Sequence, residues 1–131
     1  MRSFALTYLA VLVAFVGIDA IWLGVVAGDL YKREMGQLMT DRPVWWAAGL
    51  FYLVYVAGIV GLAIPEPQAG WGRALLQGAL FGLCAYATYD LTNLAVVRGW
   101  PLRLTLVDLA WGTALTACVT VIGFLLRSRL A

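Results

Sequence analysis

The sequence predicts an all-α membrane protein: a four-helix transmembrane bundle with one short interfacial amphipathic helix between the first and second spans. Three observations predict it. The 131 residues are 63% hydrophobic and only 12% charged, whereas a soluble domain is about 25% charged, so most of the surface has to face lipid. The apolar residues gather into four runs, each long enough to cross a hydrocarbon layer of roughly 30 Å. The charges and turn-forming residues gather in short segments between those runs.

Residues 3–27 make the first run, and Asp19 is its one charge. A cleaved signal peptide has an apolar core of only about 7–15 residues; this run is longer and carries an acid, so it reads as a retained helix. The segment from Gly28 to Arg42 then concentrates charge. Within it Leu30, Tyr31, Met35, Leu38 and Met39 recur at nearly helical spacing between Lys32, Arg33, Glu34 and Gln37, which predicts an interfacial helix over about 29–40. A solvated loop is the alternative.

The second span, 43–64, has no charge. Pro43 suits a first helical turn, Trp45 and Trp46 suit an interfacial belt, and Gly49, Ala57, Gly58 and Gly61 suit close helix approach. Pro65 to Gly70 turns the chain. The third span, 71–97, contains the polar island Tyr86 to Ala95. Arg98 to Arg103 is a tight connection with Trp100 at the interface, and the fourth span, 104–126, carries Asp108 before Arg127 and Arg129 close the run. Four spans put both termini on one side, and the basic N-terminus favours the cytoplasmic side of a cell inner membrane.

This topology brings the acids together. Asp19 lies about eight residues before the end of its span, Asp90 about eight before the end of its own, and Asp108 about five after the start of the fourth. At 1.5 Å per residue all three sit roughly 7–13 Å below one membrane surface. Intramembrane acids avoid lipid and commonly mark function, so one buried polar cluster is expected, titrating as a coupled group with at least one acid protonated near neutral pH. Asp19 and Trp22 stand at i and i+3, as do Asp108 and Trp111. Each acid is therefore expected to share a face with its own indole N–H. Asn93 and Tyr86 share the face of Asp90, Thr92 adds a hydroxyl, and Tyr31, Trp100, Arg98 and Arg103 stand in the overlying loops, the arginines near enough to reach inward. Asp19, Asp90 and Asp108 are the candidate catalytic groups, and the others are candidate ligand-binding residues. Interhelical hydrogen-bond glue is the plainer reading of the same residues.

Other chemistries recede. A net charge of +2, scattered along the chain, gives no nucleic-acid surface, and the absence of histidine removes the usual proton shuttle and the usual haem and zinc ligand. Cys84 and Cys118 lie in apolar runs and read as small buried packing residues rather than a redox pair. Acids with Asn93 supply oxygen ligands of the kind magnesium or calcium takes, but no dedicated loop accompanies them, so neither metal nor cofactor is expected.

The run YATYDLTNLAVVRGWPLRLTLVDLAWGTALTA resembles the signature of a family of bacterial integral membrane proteins catalogued as domain of unknown function 2177. DAIWLG, the tyrosine of GDLY and LFYLVYVAGI resemble its earlier blocks. The matching positions are Asp19, Trp22, Tyr31, Asp90, Thr92, Asn93, Trp100, Pro101, Asp108, Trp111 and Gly112. The resemblance implies a small multi-pass membrane protein and assigns no catalysis.

Three functions fit these observations. A polar cluster beneath the interface, walled by aromatic residues, suits binding or modification of a lipid or other small amphiphile. No serine or cysteine stands beside a base, so covalent catalysis is not expected. The alternatives are an accessory subunit of a larger membrane complex and a proton-coupled transporter or channel. In the last case a homo-oligomer would have to complete the polar path, because the far half of each helix is apolar.

Overall fold

The computed structural model describes residues 2–130, which are helical with no β-strand among the described residues. Five α-helices follow one another: α1 Arg2–Ile21, α2 Gly28–Met35, α3 Trp45–Gly58, α4 Trp71–Val96 and α5 Leu102–Leu130. One wider π-helical turn prolongs α1 (Trp22–Val26) and another prolongs α3 (Ile59–Ala63). Three continuous stretches are long and apolar enough to cross a membrane: Arg2–Val26, Trp45–Ala63 and Leu102–Leu130. α4 has the length, at 26 residues, but Arg73, Gln77, Asp90 and Asn93 dilute its apolarity. Large side chains cover the outside; Val25 and Val96 are each 81% exposed. Such a surface suits lipid rather than water.

The boundaries differ from expectation in two places. The interfacial helix stops at Met35 and continues only as a 3₁₀ turn over Gly36–Leu38, where Gly36 takes φ +53°. Pro43 stands outside α3, which starts at Trp45. The corner between α1 and α2 closes because the Ala27 N–H reaches the Trp22 carbonyl, and a Cβ on Gly28 would collide with the Leu23 carbonyl. At the other end, the Gln77 amide caps the Ala63 carbonyl at 3.0 Å while accepting from Arg73 at 2.9 Å. Two of the polar residues of α4 therefore serve the carbonyl end of the turn that prolongs α3.

α5 is the central helix, touching α1, α2, α4 and the π-helical turn of α3. Its partnership with α4 is the most extensive in the molecule. The contact face of α4 repeats every four residues as Ala74, Gly78, Gly82, Tyr86 and Asp90, a small-residue stripe that lets backbones approach. A Cβ on Gly78 would stand 2.6 Å from Thr120, and one on Gly82 would stand 2.6 Å from Thr116 and 2.5 Å from the Gly112 carbonyl. The Tyr86 ring lies where a Cβ on Gly112 would be. Each step of four along α4 is thus matched by four back along α5, and the next step sets Asp90 opposite Asp108.

Close approach therefore belongs to this seam, not to the glycines of the second span. Gly49 and Gly61 face open space, and only Gly58 meets a neighbour, the ring of Phe81. The cysteines also differ from expectation: Cys84 and Cys118 are exposed on the outer face rather than buried. Neither residue stands on the four-residue stripe that meets the opposite helix.

Candidate functional site

All three acids are buried, and Asp90 is only 1% exposed. They are not held alike. Asp19 accepts from the Tyr52 hydroxyl at 2.8 Å and from the Trp111 indole at 3.0 Å. Asp108 accepts from the Tyr31 hydroxyl at 2.6 Å, and that hydroxyl itself accepts from the Trp22 indole at 3.2 Å. The indoles have exchanged partners relative to the expected pairing: Trp111 of α5 serves the acid of α1, and Trp22 serves the acid of α5 through Tyr31. The two rings stack, with centroids 4.2 Å apart and planes 6° from parallel. An indole long enough to leave its own helix reaches a neighbouring acid more readily than one a single turn away.

Both Asp90 oxygens are buried without a hydrogen-bond partner among the described residues. Asp108 is the ionisable neighbour, its carboxyl within hydrogen-bonding reach of Asp90 once one of the two carries a proton. Asn93, half-buried, makes no hydrogen bond to Asp90 among the described residues. Thr92 is exposed and turns its hydroxyl back to the carbonyls of Thr88 and Tyr89, so it serves its own helix. The arginines do not enter the cluster. Arg98 is exposed, and Arg103, 74% exposed, stands 3.9 Å from Glu34. Trp100 packs against Ala27, Tyr31 and Leu104 and edge-on to Tyr89 at 5.6 Å.

Tyr52 and Tyr55 were not legible as site residues. Two phenols three residues apart in an apolar run can face lipid headgroups as readily as a core, and their spacing was the one signal available. In the structure Tyr52 holds Asp19, while Tyr55, packed on Phe15, Phe81 and Tyr86, shares a 2.8 Å hydrogen bond with Thr116.

Tyr31 lies on α2, outside the spanning helices. Burial, and then the hydrogen bond to Asp108, hold its phenol well above the ordinary value of 10.0. The group keeps its proton in the folded protein at pH values where the unfolded chain loses it. Its contribution to stability is therefore complete below pH 10 and falls as the pH rises further. Melts in detergent between pH 9 and 11 should show a steeper loss for the native protein than for Tyr31→Phe. At pH 7 that variant should be less stable by about 1–3 kcal/mol, because it removes the donor to Asp108 and the acceptor of Trp22.

α3 and α4 approach each other at the Ile59–Ala63 turn and make no close backbone contact along Trp45–Gly58 among the described residues. Their divergence leaves a cleft of about 380 Å³ lined by Phe51, Ala85, Tyr86, Tyr89 and Asp108. Tyr86, on its wall, packs against Tyr55, which in turn meets Phe81, and two further wall residues, Phe51 and Tyr89, are half-exposed. Asp108 is the one acid with surface on the cleft. Among the described residues no group of three metal-ligating side chains converges.

No curated protein and no solved structure matches the chain. The family model described as "Predicted membrane protein (DUF2177)" matches residues 4–125. With nearly its whole length covered, and with helices of membrane-crossing length and apolarity, the chain belongs to the DUF2177 family of predicted membrane proteins.

Proposed function

We propose that the protein is a four-span membrane protein that binds, and through its acids serves to modify, a lipid or similar small amphiphile in the cleft between α3 and α4. One observation carries this reading: an apolar, aromatic-walled wedge of about 380 Å³ has a buried acid on its wall. An amphiphile needs that combination, an apolar wall for the chain and a fixed polar partner for the head. The wall residues Phe51 and Tyr89 are half-exposed, so a chain already dissolved in the bilayer enters there without crossing water. α4 spans beside α5 because its contact face follows α5 residue for residue; the polar groups that dilute it cap α3 or lie on that seam. Arg2, Arg127 and Arg129 favour the cytoplasmic side for both termini, which would place Asp19, Asp90 and Asp108 nearer the opposite face.

The test is native mass spectrometry of the purified full chain beside Ala85→Phe, which fills the cleft. The native protein should carry a mass adduct of amphiphile size that the variant lacks while keeping its helical content. A bare native protein, or an identical adduct on Ala85→Phe, overturns the reading.

A further inference from the structure

The cleft reading leaves the head group unspecified, and the hydrogen-bonding around the acids narrows it. Asp19 has two donors and Asp108 has one, on Oδ1. Asp108 Oδ2 and both Asp90 oxygens have no donor among the described residues. A buried acceptor without a donor costs about 1–3 kcal/mol, so the two Asp90 oxygens, beside the Asp108 carboxyl that opens on the cleft, describe a site completed by something that donates. The donors that reach the acids are already committed, Tyr31 to Asp108, Tyr52 and Trp111 to Asp19, and neither Tyr86 nor Tyr89 on the cleft wall hydrogen-bonds to an acid among the described residues.

Charge points the same way. Three carboxyls are buried here, and the nearby cations stay outside: Arg98 is exposed, and Arg103 stands beside Glu34. A phosphate or carboxylate head would meet acids with no counter-charge. The remaining wall is Phe51, Tyr86 and Tyr89, rings whose faces attract a cation. Aromatic faces with a carboxyl among them form a setting for an organic ammonium. The empty oxygens select further, because a quaternary ammonium has no N–H to give, whereas a primary ammonium has three.

Resting on the cleft as an amphiphile site, we propose that its ligand is an amphiphile with a primary amine head, held as the ammonium between the aromatic rings and Asp108, with Asp90 behind as the second counter-charge. The alkyl chain follows Phe51 and Ala85 out between α3 and α4. Asp90 is then a positioning residue, acting on the head through the carboxyl of Asp108 and through its own unfilled oxygens.

The experiment measures binding of four probes to the full chain in non-ionic micelles, followed by tryptophan fluorescence: dodecylamine, dodecanol, dodecyl phosphate and dodecyltrimethylammonium. Dodecylamine should bind at least about tenfold more tightly than each of the others. Asp90→Asn should reduce that preference about tenfold, and Tyr89→Leu, which removes an aromatic face from the cleft wall and leaves every carboxyl in place, should reduce it severalfold. Equal binding of amine and alcohol by the native protein, with both lost in Ala85→Phe, overturns the ammonium while leaving the amphiphile cleft standing. Tighter binding of the phosphate or the quaternary probe overturns it as well, as does an Asp90→Asn protein that folds and keeps the full preference. Failure of all four probes to bind overturns the cleft reading together with the ammonium.

Discussion

Valine in place of Gly82 is expected to push α4 off α5. The site is tight on two sides: a Cβ there meets the Thr116 side chain at 2.6 Å and the Gly112 carbonyl at 2.5 Å. A side chain can turn aside, but a helix carbonyl cannot move without its helix. Overpacking of a rigid contact costs about 1–3 kcal/mol, and this position belongs at the upper end because backbone is one of the partners. The damage should also travel. Gly82 lies one turn from Tyr86, which seats against Gly112 and lines the cleft, so parting the seam also disturbs the wall of the site. Thermal melting in detergent, followed by circular dichroism, should show a large fall for Gly82→Val. Gly61→Val, on an open face, should change little. Equal effects of the two substitutions would contradict the seam.

The second large effect is one of sign. Replacement of Asp by Ala should destabilise the protein at position 19 and stabilise it at position 90. Removing Asp19 strands the Tyr52 hydroxyl and the Trp111 indole. At roughly 1 kcal/mol for each interhelical hydrogen bond, the loss is about 2 kcal/mol. Removing Asp90 strands no donor among the described residues, and Asp108 keeps its bond from Tyr31. It relieves the burial of a polar group, and alanine continues the stripe of Ala74, Gly78 and Gly82. A gain of about 1 kcal/mol is expected, a fraction of what an acid costs at the centre of a membrane helix. The measurement is a pair of melts at neutral pH without added amphiphile. A loss at position 90 matching that at position 19 would make Asp90 an interhelical bond like the others and remove the main reason to regard it as a functional residue. Groups retained at a cost to stability are commonly functional.

Much of this was legible in the sequence, and the rest was hidden for definable reasons. Four apolar runs locate α1, α3, α4 and α5 to within a few residues, because a hydrocarbon layer fixes the length of a helix. Counting depth brings Asp19, Asp90 and Asp108 to one level, because rise per residue is constant. Azimuth is harder to read. The sequence shows that Trp22 and Trp111 lie near acids but not which helix each ring crosses to, and the exchange depends on how α1 and α5 rotate against each other. The glycines pose the same difficulty: Gly49 and Gly61 are as small as Gly78 and Gly82, and composition does not say which pair meets a partner. Cys84 and Cys118 face outward for the same reason. Arg98 and Arg103 were close enough in sequence to enter the cluster, but water solvates an arginine better than a buried acid can, and a surface partner such as Glu34 lies nearer. The divergence of α3 from α4 leaves no mark in either sequence segment.

The exchange between Trp22 and Trp111 also bears on how the molecule is assembled. Chains enter a membrane from the N-terminus onward, so Asp19 arrives early while its donors are still to come, Tyr52 with α3 and Trp111 only with α5. For much of synthesis the first helix carries an unanswered acid, which favours its staying near the water surface or beside the insertion machinery. The last helix to arrive brings the missing indole and finds Tyr31 already waiting for its own Asp108. The bonds to Asp19 and Asp108 therefore close only when α5 has docked, so the first and fifth helices complete each other's polar groups.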